Sequence, residues 1–354
     1  ANVRLSRYLS KLKCYSNNEI ANEIVKSRNI RTLLGRAFTR STENKFDAWV
    51  TDGSNFSSWV AKSLKDLLDE ESASFGYTCE NLELMKLMKQ KGGFAVHGQV
   101  DPGLEWYKVF EDEANLFPGA STSFESPSAS FIDRISEEWL IADKIIVNSK
   151  YSKNSLIKHG VAPKKIQVIP LSFNGTITQR EKIANLKHQP LNILFVGNLS
   201  LAKGIQYYGQ VAEQLNGLGF NFFAAGNLAL EDKFFRKMNW PIELLGHLSP
   251  DEMKDRYKET DILIFPTLSE GFGMVQLEAM SYGIPVITTP NCGEVVEHGE
   301  SGYITDCRNS EQIVEHLLKL QTHRELLKQL SNGAHNRVRD FQGNDFKNIF
   351  FSNN

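Results

Sequence analysis

The chain has 354 residues, a formal net charge of −2 and 23% charged residues. A chain of this length can form two domains with separate cores. The balanced charge excludes the bulk electrostatic attraction on which nucleic-acid-binding proteins rely, so we expect no nucleic-acid partner. The apolar runs are only a few residues long, so the sequence predicts no transmembrane helix.

Four cysteines lie far apart in the sequence, at Cys14, Cys79, Cys292 and Cys307. They form no C-x-x-C or Cys–His spacing, so we expect neither a zinc site nor a disulfide framework. Reduced thiols of this kind are typical of a cytoplasmic protein. The opening segment ANVRLSRYLSKLK carries basic residues but no apolar stretch, so it does not resemble a secretory signal.

The first 130 residues contain few clear patterns. Residues 1–45 show amphipathic helical spacing without a recognisable strand. The run AWVT at 48–51 predicts a strand, followed by a helix over about 56–68. The run GFAV at 93–96 predicts a second strand, with His97 and Gly98 at its end. Residues 99–130 lack clear periodicity, which favours a functional loop or a short helix.

Helix and strand patterns alternate regularly from residue 131 onward. Apolar runs typical of buried strands lie at 144–147, 166–170, 191–196, 220–225, 242–245, 262–265 and 286–287. Helical patterns lie between most of these runs, and two more fill about 311–339. This alternation predicts an α/β fold with parallel sheets and crossover helices. The polar residues 175–190 predict a linker between two domains.

Residues 261–289, DILIFPTLSEGFGMVQLEAMSYGIPVITT, predict one βαβ unit. Its first strand ends at Pro266, and a loop that contains Glu270 and two glycines follows. A helix over 274–282 then stops at Gly283, which has the position of a helix C-cap glycine. Ligand sites in open α/β sheets lie at the carboxyl ends of the strands, so we expect a ligand at this loop.

Two carboxylates belong to this unit, Glu270 in the loop and Glu278 one turn into the helix. Each carboxylate can accept hydrogen bonds from neutral hydroxyl groups. Glycine N–H groups at the helix start and a cation elsewhere could then hold phosphates. A ligand with a sugar at one end, a ribose at the other and a diphosphate between them fits this arrangement. The residues therefore favour a nucleotide sugar.

The same residues carry a family resemblance. The segments EGFGMVQLEAM (270–280) and GIPVI (283–287) resemble the E-x7-E signature of retaining GT-B glycosyltransferases of family 4. About ten matched positions make this resemblance more specific than a bare pair of glutamates. The plain alternative, a βαβ unit with two solvated glutamates, leaves the glycines and Phe272 unexplained.

A second segment, GNLSLAKG at 197–204, resembles the family's turn G-R-x-S-x-x-K-G. In that turn the arginine and the lysine neutralise the donor diphosphate. Lys203 has the lysine position, but Asn198 replaces the arginine. Because an asparagine donates hydrogen bonds without a charge, Lys203 is expected to stabilise more of the developing negative charge.

The resemblance implies the GT-B fold, with two Rossmann-like domains whose parallel sheets face a central cleft. Residues 1–175 are expected to form the acceptor-side domain, with its first unit shortened or missing. Residues 190–340 are expected to bind the nucleotide sugar, and a terminal helix over 341–354 to pack back on the first domain.

The resemblance also implies a set of donor contacts. Glu270 is expected to contact hydroxyls of the donor sugar and Glu278 the ribose diol. Backbone N–H groups are expected from Phe272, Gly273 and Met274, within a donor loop that also includes Gly271 and Val275.

Other donor contacts are expected outside this loop. Lys203 and Asn198 are expected to bind the diphosphate, Leu248 to lie beside the nucleobase, and His97 to face the sugar from the first domain. The residues expected to act in catalysis are Glu270, His97 and Lys203.

The implied function is that of a retaining glycosyltransferase, which moves a hexose-type sugar from a UDP- or GDP-sugar to a hydroxyl acceptor. The acceptor is expected to be a glycan or a lipid-linked glycan in surface polysaccharide synthesis. The implied mechanism needs no metal and no cofactor besides the donor substrate, in agreement with the absence of an Asp-x-Asp motif.

Two other hypotheses remain open. One is a nucleotide-sugar epimerase on the same architecture. The other is a nucleotide-sugar-binding protein whose catalytic site has decayed, which Asn198 and the poorly defined start of the chain suggest. The lysines within 144–165 favour a solvated basic face, or alternatively a peripheral contact with an anionic membrane.

Overall fold

The computed structural model of the protein describes residues 44–121, 125–178 and 190–343. Within these ranges, the residues from Lys45 onward cluster into one unit that contains two parallel sheets. No helix in the described part is long and apolar enough to cross a membrane. Three predicted segments lie mostly outside the described residues: the helical pattern of 1–45, the linker of 175–190 and the helix of 341–354.

The first sheet has four parallel strands in the order in which they occur in the chain. They are β1 (Ala73–Tyr77), β2 (Phe94–Gln99), β3 (Lys144–Val147) and β4 (Ile166–Val168). The helices of this part are α1 (Lys45–Leu64), α2 (Leu82–Gln90), α3 (Leu104–Leu116), α4 (Ala129–Ile141) and α5 (Lys150–Lys158). We call these elements together the first domain. The predicted strand at 144–147 is confirmed, whereas β1 and α2 were not predicted.

The predicted strand at 48–51 is wrong, because these residues lie within α1. The residues that α1 buries are Phe46, Gly53 and Ser57, which lie on one helical face. Gly53 and Ser57 are small and not strongly apolar, so the buried face of α1 shows no hydrophobic helical periodicity. The short apolar run AWV therefore resembled a strand. A Cβ atom at Gly53 would lie 2.0 Å from the carbonyl oxygen of Cys79. Gly53 therefore lets α1 approach the loop after β1.

Residues 99–130 are more regular than the sequence predicted. Helix α3 has 13 residues and begins after Gly103, whose φ is +62°. It buries only Val109 and Glu113. A helix with one apolar and one acidic buried residue has little hydrophobic periodicity, so the sequence pattern did not reveal it.

One core joins the sheet of the first domain to its helices. It includes Phe46 of α1, Met85 of α2, Ala95 of β2, Ile135 of α4 and Ile145 of β3. Val96, next to Ala95 in the chain, packs with Ile146 and Ile169 in a separate small cluster. The alternation along β2 therefore defines a helix-covered face and an opposite face.

The second sheet has six parallel strands in the order β10-β9-β8-β5-β6-β7. They are β5 (Leu191–Val196), β6 (Phe220–Ala225), β7 (Glu243–Gly246), β8 (Ile262–Phe265), β9 (Val286–Thr288) and β10 (Gly302–Ile304). The helices are α6 (Ile205–Gln214), α7 (Asp232–Met238), α8 (Pro250–Glu259), α9 (Val275–Met280), α10 (Ser310–Thr322) and α11 (Arg324–Arg337). We call these elements the second domain.

Helices cover both faces of the second sheet. Ile193 of β5 belongs to a core that includes Tyr208 of α6 and Leu317 of α10. The next residue, Leu194, points the other way into a core that includes Leu277 of α9. Strands buried on both faces read as continuous apolar runs, which is why the sequence predicted β5, β6 and β8 with the observed bounds.

Local signals set the ends of the helices in this domain. Ser249 and Glu252 form a reciprocal capping box at the start of α8, with Pro250 in the first turn, as predicted. Gly283 has φ +66° and donates to the carbonyl of Met280 over 2.9 Å, as expected for a glycine that ends a helix. Helix α9 is nevertheless shorter than the predicted span of 274–282.

The last described segment is a 3₁₀ turn, Val338–Phe341. The carbonyl of Phe341 accepts a 2.8 Å hydrogen bond from the amide of Phe173, just beyond the first sheet. The described end of the chain thus returns to the point where the first domain ends.

Candidate functional site

Glu270 lies on the loop that joins β8 to α9, at the carboxyl end of the second sheet. Its carboxylate is in direct contact with the ammonium group of Lys203. The backbone amide of Glu270 donates to the carbonyl of Asn291 over 2.9 Å, which ties the loop to the segment after β9. The structure therefore brings together a loop carboxylate and a turn lysine that are 67 residues apart in the chain.

Lys203 ends a 3₁₀ turn, Leu201–Lys203, that follows β5. The next residue, Gly204, has φ +78°, and a Cβ atom there would lie 2.0 Å from the carbonyl oxygen of Pro266. This glycine lets the turn pack directly on the end of β8. Burial lowers the pKa of Lys203 to about 8, although contact with a carboxylate acts in the opposite direction.

Glu278 lies in the first turn of α9 and is exposed. Its Oε2 atom accepts a 3.1 Å hydrogen bond from the hydroxyl of Tyr257. Tyr257 is buried and stacks on Tyr282, with ring centroids 5.3 Å apart. This support from α8 leaves lone pairs of Glu278 that can accept further hydrogen bonds.

The glycines of the donor loop allow close backbone contacts. A Cβ atom at Gly271 would lie 2.0 Å from the carbonyl oxygen of Val100 in the first domain. That carbonyl is held by the side-chain amide of Asn148 over 2.8 Å. Gly273 has φ +84°, and a Cβ atom there would lie 2.6 Å from the ring of Phe265. The loop is thus wedged between the two domains.

Phe272 of the same loop is a core residue with 2% exposure. Its ring lies 6.1 Å from that of Phe341, centroid to centroid. Its carbonyl accepts hydrogen bonds from the amide of Gly293 and the side chain of Gln276. The side chain of Phe272 is thus enclosed in the core, and a ligand contact through its backbone N–H group stays a prediction.

The other predicted donor-site residues of the second domain are Leu248, Met274, Val275 and Asn198. Leu248, Met274 and Val275 are partly buried and pack against the core on the α9 side of the second sheet. Asn198 is exposed and, with Ser200, lines a cavity of about 220 Å³. The other lining residues, mostly of the first domain, are Lys45, Phe46, Trp106, Tyr107, Phe110, Ser121, Glu125 and Ala229.

The sequence predicts His97 at the end of its strand, but in the structure His97 lies within β2. Its ring is completely buried on the helix-covered face, where Nε2 lies 3.3 Å from the Oε1 atom of Gln99. Gln99 in turn accepts a hydrogen bond from the indole of Trp139. Burial lowers the pKa of His97 to about 4, so the ring is neutral at pH 7. This position lies inside the first domain and gives no support to a contact with the donor sugar.

Two contacts between the domains near Glu270 were not predicted. The hydroxyl of Tyr151 donates to Ser269 over 3.1 Å, and the amide of Lys150 donates to the carboxylate of Glu294 over 2.9 Å. Both donors lie at the start of α5. No sequence pattern distinguishes these two donors from other residues at the start of a helix.

Metal ligands are not clustered in the part of the chain that the structure describes. None of its groups of three or more His, Cys, Asp or Glu side chains is placed to hold a metal ion.

Comparison with known families supports an assignment for the second half of the chain. Residues 177–337 match the family described as "Glycosyl transferases group 1". This range contains β5 to β10 and every predicted donor-site residue except His97.

Curated relatives cover the chain to different extents. An "Uncharacterized 41.2 kDa protein in cps region" of Klebsiella pneumoniae is 24% identical over 319 residues, which are 84% of this chain and 82% of the relative. The "Capsular polysaccharide biosynthesis glycosyltransferase CapM" of Staphylococcus aureus is 30% identical over 218 residues, 56% of this chain and 57% of CapM. The chain thus spans little more than half the length of CapM.

Solved structures share the fold across both domains. Sucrose-phosphate synthase from Thermosynechococcus elongatus superimposes with a TM-score of 0.66 at 16% identity, covering 86% of this chain and 77% of that chain. Anabaena HepE in complex with UDP-glucose has a TM-score of 0.58 at 15% identity, covering 80% and 78%. Residues 177–337 therefore carry the sequence features of the Glycosyl transferases group 1 family, and the chain has the GT-B fold, with two Rossmann-like α/β domains whose parallel sheets face a cleft.

Proposed function

We propose that the protein is a retaining glycosyltransferase that moves a hexose-type sugar from a UDP- or GDP-sugar to a hydroxyl acceptor. The observation that carries the proposal is the contact between Lys203 and Glu270 at the carboxyl ends of β5 and β8. Glu270 lies in the loop that leads into α9, and Glu278 lies in the first turn of that helix. A nucleotide sugar needs groups of these types for its phosphates and hydroxyls.

Donor binding exchanges one partner of Lys203 for another in this proposal. The ammonium group turns from Glu270 to the diphosphate, with Asn198 as an uncharged second donor. Glu270 is then free to accept hydrogen bonds from hydroxyls of the donor sugar. Glu278, already oriented by Tyr257, accepts from the ribose diol. Charge-assisted hydrogen bonds of this kind contribute about 1.5–3 kcal/mol each.

The chemical step needs no side-chain base. The bond between the anomeric carbon and the diphosphate oxygen breaks, and its electron pair leaves with the phosphate. The acceptor oxygen forms the new bond on the same face, and its proton passes to a phosphate oxygen. The negative charge that develops on the leaving group is stabilised by Lys203 and by backbone N–H groups of the loop. No cofactor besides the donor substrate and no metal ion takes part in this scheme.

The relatives suggest the setting of the reaction. CapM is described as a glycosyltransferase of capsular polysaccharide biosynthesis, and HepE was solved with UDP-glucose. For this chain we accordingly propose UDP as the first nucleoside diphosphate to test. A glycan or a lipid-linked glycan of a surface polysaccharide is the proposed acceptor, and a cytoplasmic location with peripheral membrane contact stays a prediction.

A binding protein with a decayed site is the second candidate, and Asn198 is the observation that favours it. The cation expected at this position is missing, so the diphosphate leaving group receives less stabilisation. Such a protein would bind UDP or GDP without transferring or hydrolysing the sugar. An epimerase would instead change the donor sugar in the absence of an acceptor.

The first experiment is a thermal stabilisation screen with UDP, GDP and their common sugars, followed by product analysis with and without glycan acceptors. Stabilisation together with an acceptor-dependent glycoside of retained configuration supports the proposal. Absence of stabilisation by either nucleotide contradicts it.

The Glu278→Ala variant tests the assigned ribose contact. We expect at least a tenfold rise in the Kd of UDP or GDP, because one or two hydrogen bonds to a charged group are lost. Glu315→Ala, which removes an exposed glutamate from α10, is the control and should bind normally. Unchanged nucleotide affinity in Glu278→Ala, measured by calorimetry, would show that Glu278 does not hold the ribose.

A further inference from the structure

Glu113 of α3 is a completely buried carboxylate at the boundary between the two domains. Three side chains of the second domain donate hydrogen bonds to it. Gln206 and Tyr207 reach its Oε2 atom over 2.7 and 3.0 Å, and the Nε atom of Arg308 reaches Oε1 over 2.5 Å. Both carboxylate oxygens of Glu113 thus accept hydrogen bonds although the residue is buried. This indicates that the arrangement of α3 against the second domain is closely specified.

The backbone of Arg308 supports this view. Its φ is +64°, a left-handed conformation that is strained for a residue with a side chain. In this conformation the guanidinium group reaches Glu113, although 42% of the Arg308 side chain remains exposed. The hydrogen bond to Glu113 raises the pKa of Arg308 further above its ordinary value. The strained position is thus used to complete the contact between the domains.

Gln206 connects Glu113 to the candidate active site. Its side-chain amide donates both to Glu113 and, over 3.0 Å, to the carbonyl of Leu201. Leu201 is the first residue of the 3₁₀ turn that ends at Lys203. One amide group therefore ties the turn that carries Lys203 to a helix of the first domain.

Apolar contacts hold α3 in place beside this network. Val109 of α3 packs with Tyr207 and Leu268 of the second domain. The amide of Leu268 donates to the carbonyl of Ala202 over 2.9 Å, so this small cluster also adjoins the Lys203 turn. The apolar cluster keeps α3 close, while the directional bonds of Glu113 fix its orientation.

We propose that Glu113 is a positioning residue of the donor site, which fixes the Leu201–Lys203 turn against the first domain and so sets the affinity for the diphosphate of the donor. The inference rests on the proposed function, because it assigns the diphosphate to Lys203. Glu113 itself does not touch the donor. It acts through Gln206 and the turn.

The test compares Glu113→Gln with Glu111→Gln in the full chain. Glutamine keeps the shape of Glu113 but removes its charge. Its amide nitrogen cannot accept the hydrogen bonds that the replaced carboxylate oxygen accepts. We expect the Kd of UDP, or of GDP if that nucleotide binds the wild type, to rise about tenfold in Glu113→Gln. Glu111 lies on the same helix and is exposed, so Glu111→Gln should bind as the wild type does.

The Lys203→Ala background distinguishes positioning from general destabilisation. If Glu113 acts through Lys203, Glu113→Gln should weaken nucleotide binding no further once Lys203 is absent. An equal tenfold loss in that background, or unchanged affinity in Glu113→Gln alone, would overturn the inference.

Arg308→Gln keeps the inference testable should Glu113→Gln fail to fold. The side chain of Arg308 is partly exposed, so Arg308→Gln should raise the Kd of the nucleotide less than Glu113→Gln does. This rise should again be absent in the Lys203→Ala background. Failure of the wild type to bind either nucleotide would overturn the proposed function itself, whereas normal wild-type binding with unaffected variants would overturn only the role of Glu113.

Discussion

Lys203 and Glu270 illustrate how the site is arranged at the scale of single residues. Each is the direct partner of the other in this structure, so neither charge is left uncompensated. Burial nevertheless lowers the pKa of Lys203 to about 8. A lysine with a lowered pKa is typical of a functional site, because structural lysines are usually exposed.

This pKa leads to a prediction about pH. The folded protein loses the Lys203 charge as the pH rises through its pKa of about 8. The charged form binds the diphosphate, so the Kd of UDP or GDP should rise above that pH, by up to about tenfold per pH unit. Calorimetric titrations between pH 6.5 and 9.5 measure this directly.

The control for that titration is Lys203→Arg. A guanidinium group stays protonated throughout this range, so the variant should show a nearly flat pH profile, whatever its absolute affinity. A wild-type profile as flat as that of the variant would show that Lys203 does not titrate in contact with the nucleotide.

His97 shows how the prediction of a strand end failed. The sequence pattern ends this strand at Val96 and predicts His97 and Gly98 at its end. In the structure β2 continues to Gln99, and a Cβ atom at Gly98 would lie 2.9 Å from the ring of Phe75. The glycine serves cross-strand packing, which no local pattern distinguishes from a turn.

At the scale of elements, the loop from β8 to α9 depends on its contact with the first domain. Gly271 does not have a positive φ, so alanine fits its backbone conformation. The added Cβ would lie 2.0 Å from the carbonyl of Val100, and the loop and the first domain would have to separate. We expect Gly271→Ala to lower kcat/KM about 100-fold, because the site residues shift by a fraction of an ångström or more.

A matched glycine separates this effect from backbone strain. Gly299 has φ +81°, and its Cβ would meet nothing within 4 Å. Gly299→Ala should therefore cost about 1 kcal/mol of folding free energy and leave kcat/KM unchanged. Both variants can be measured by denaturant unfolding and by initial rates. Full activity in Gly271→Ala would mean that the loop does not need its approach to Val100.

Helices α1 and α3 show which elements the sequence did not reveal. Their buried faces include Gly53, Ser57 and Glu113, which hydrophobic patterns do not recognise. These small and acidic residues are buried because of what lies opposite them, a carbonyl or a set of donors. Elements with apolar buried faces, such as β5 and β8, were predicted with their observed bounds.

At the scale of the whole molecule, separated segments of the chain support the donor loop. Phe341, at the described end of the chain, packs its ring on Phe272 and stacks under the guanidinium of Arg337. Removal of this ring should destabilise the fold by about 3 kcal/mol. It should also raise the Kd of UDP or GDP, since the loop loses support beneath Phe272.

The Phe341→Ala variant can be measured by denaturant unfolding and nucleotide titration. Leu318→Ala is a suitable control, because Leu318 is 38% exposed on α10 and its loss should cost well under the ~1 kcal/mol of a typical destabilising substitution. A Phe341→Ala variant with reduced stability but full nucleotide affinity would show that the loop is rigid without this packing.

The sequence by itself determined the α/β class, five of the six strands of the second sheet and the loop between β8 and α9, because buried strands, helix caps and glycine turns are coded by neighbouring residues. The family resemblance added Lys203 to Glu270 and Glu278, and the donor contacts of these three residues stay predictions. Only the tertiary structure decided that Lys203 contacts Glu270, that His97 is enclosed in the first domain and that Glu113 joins the two domains. These facts depend on which surfaces meet across the fold, and residues that are far apart in the chain carry no local pattern for such contacts.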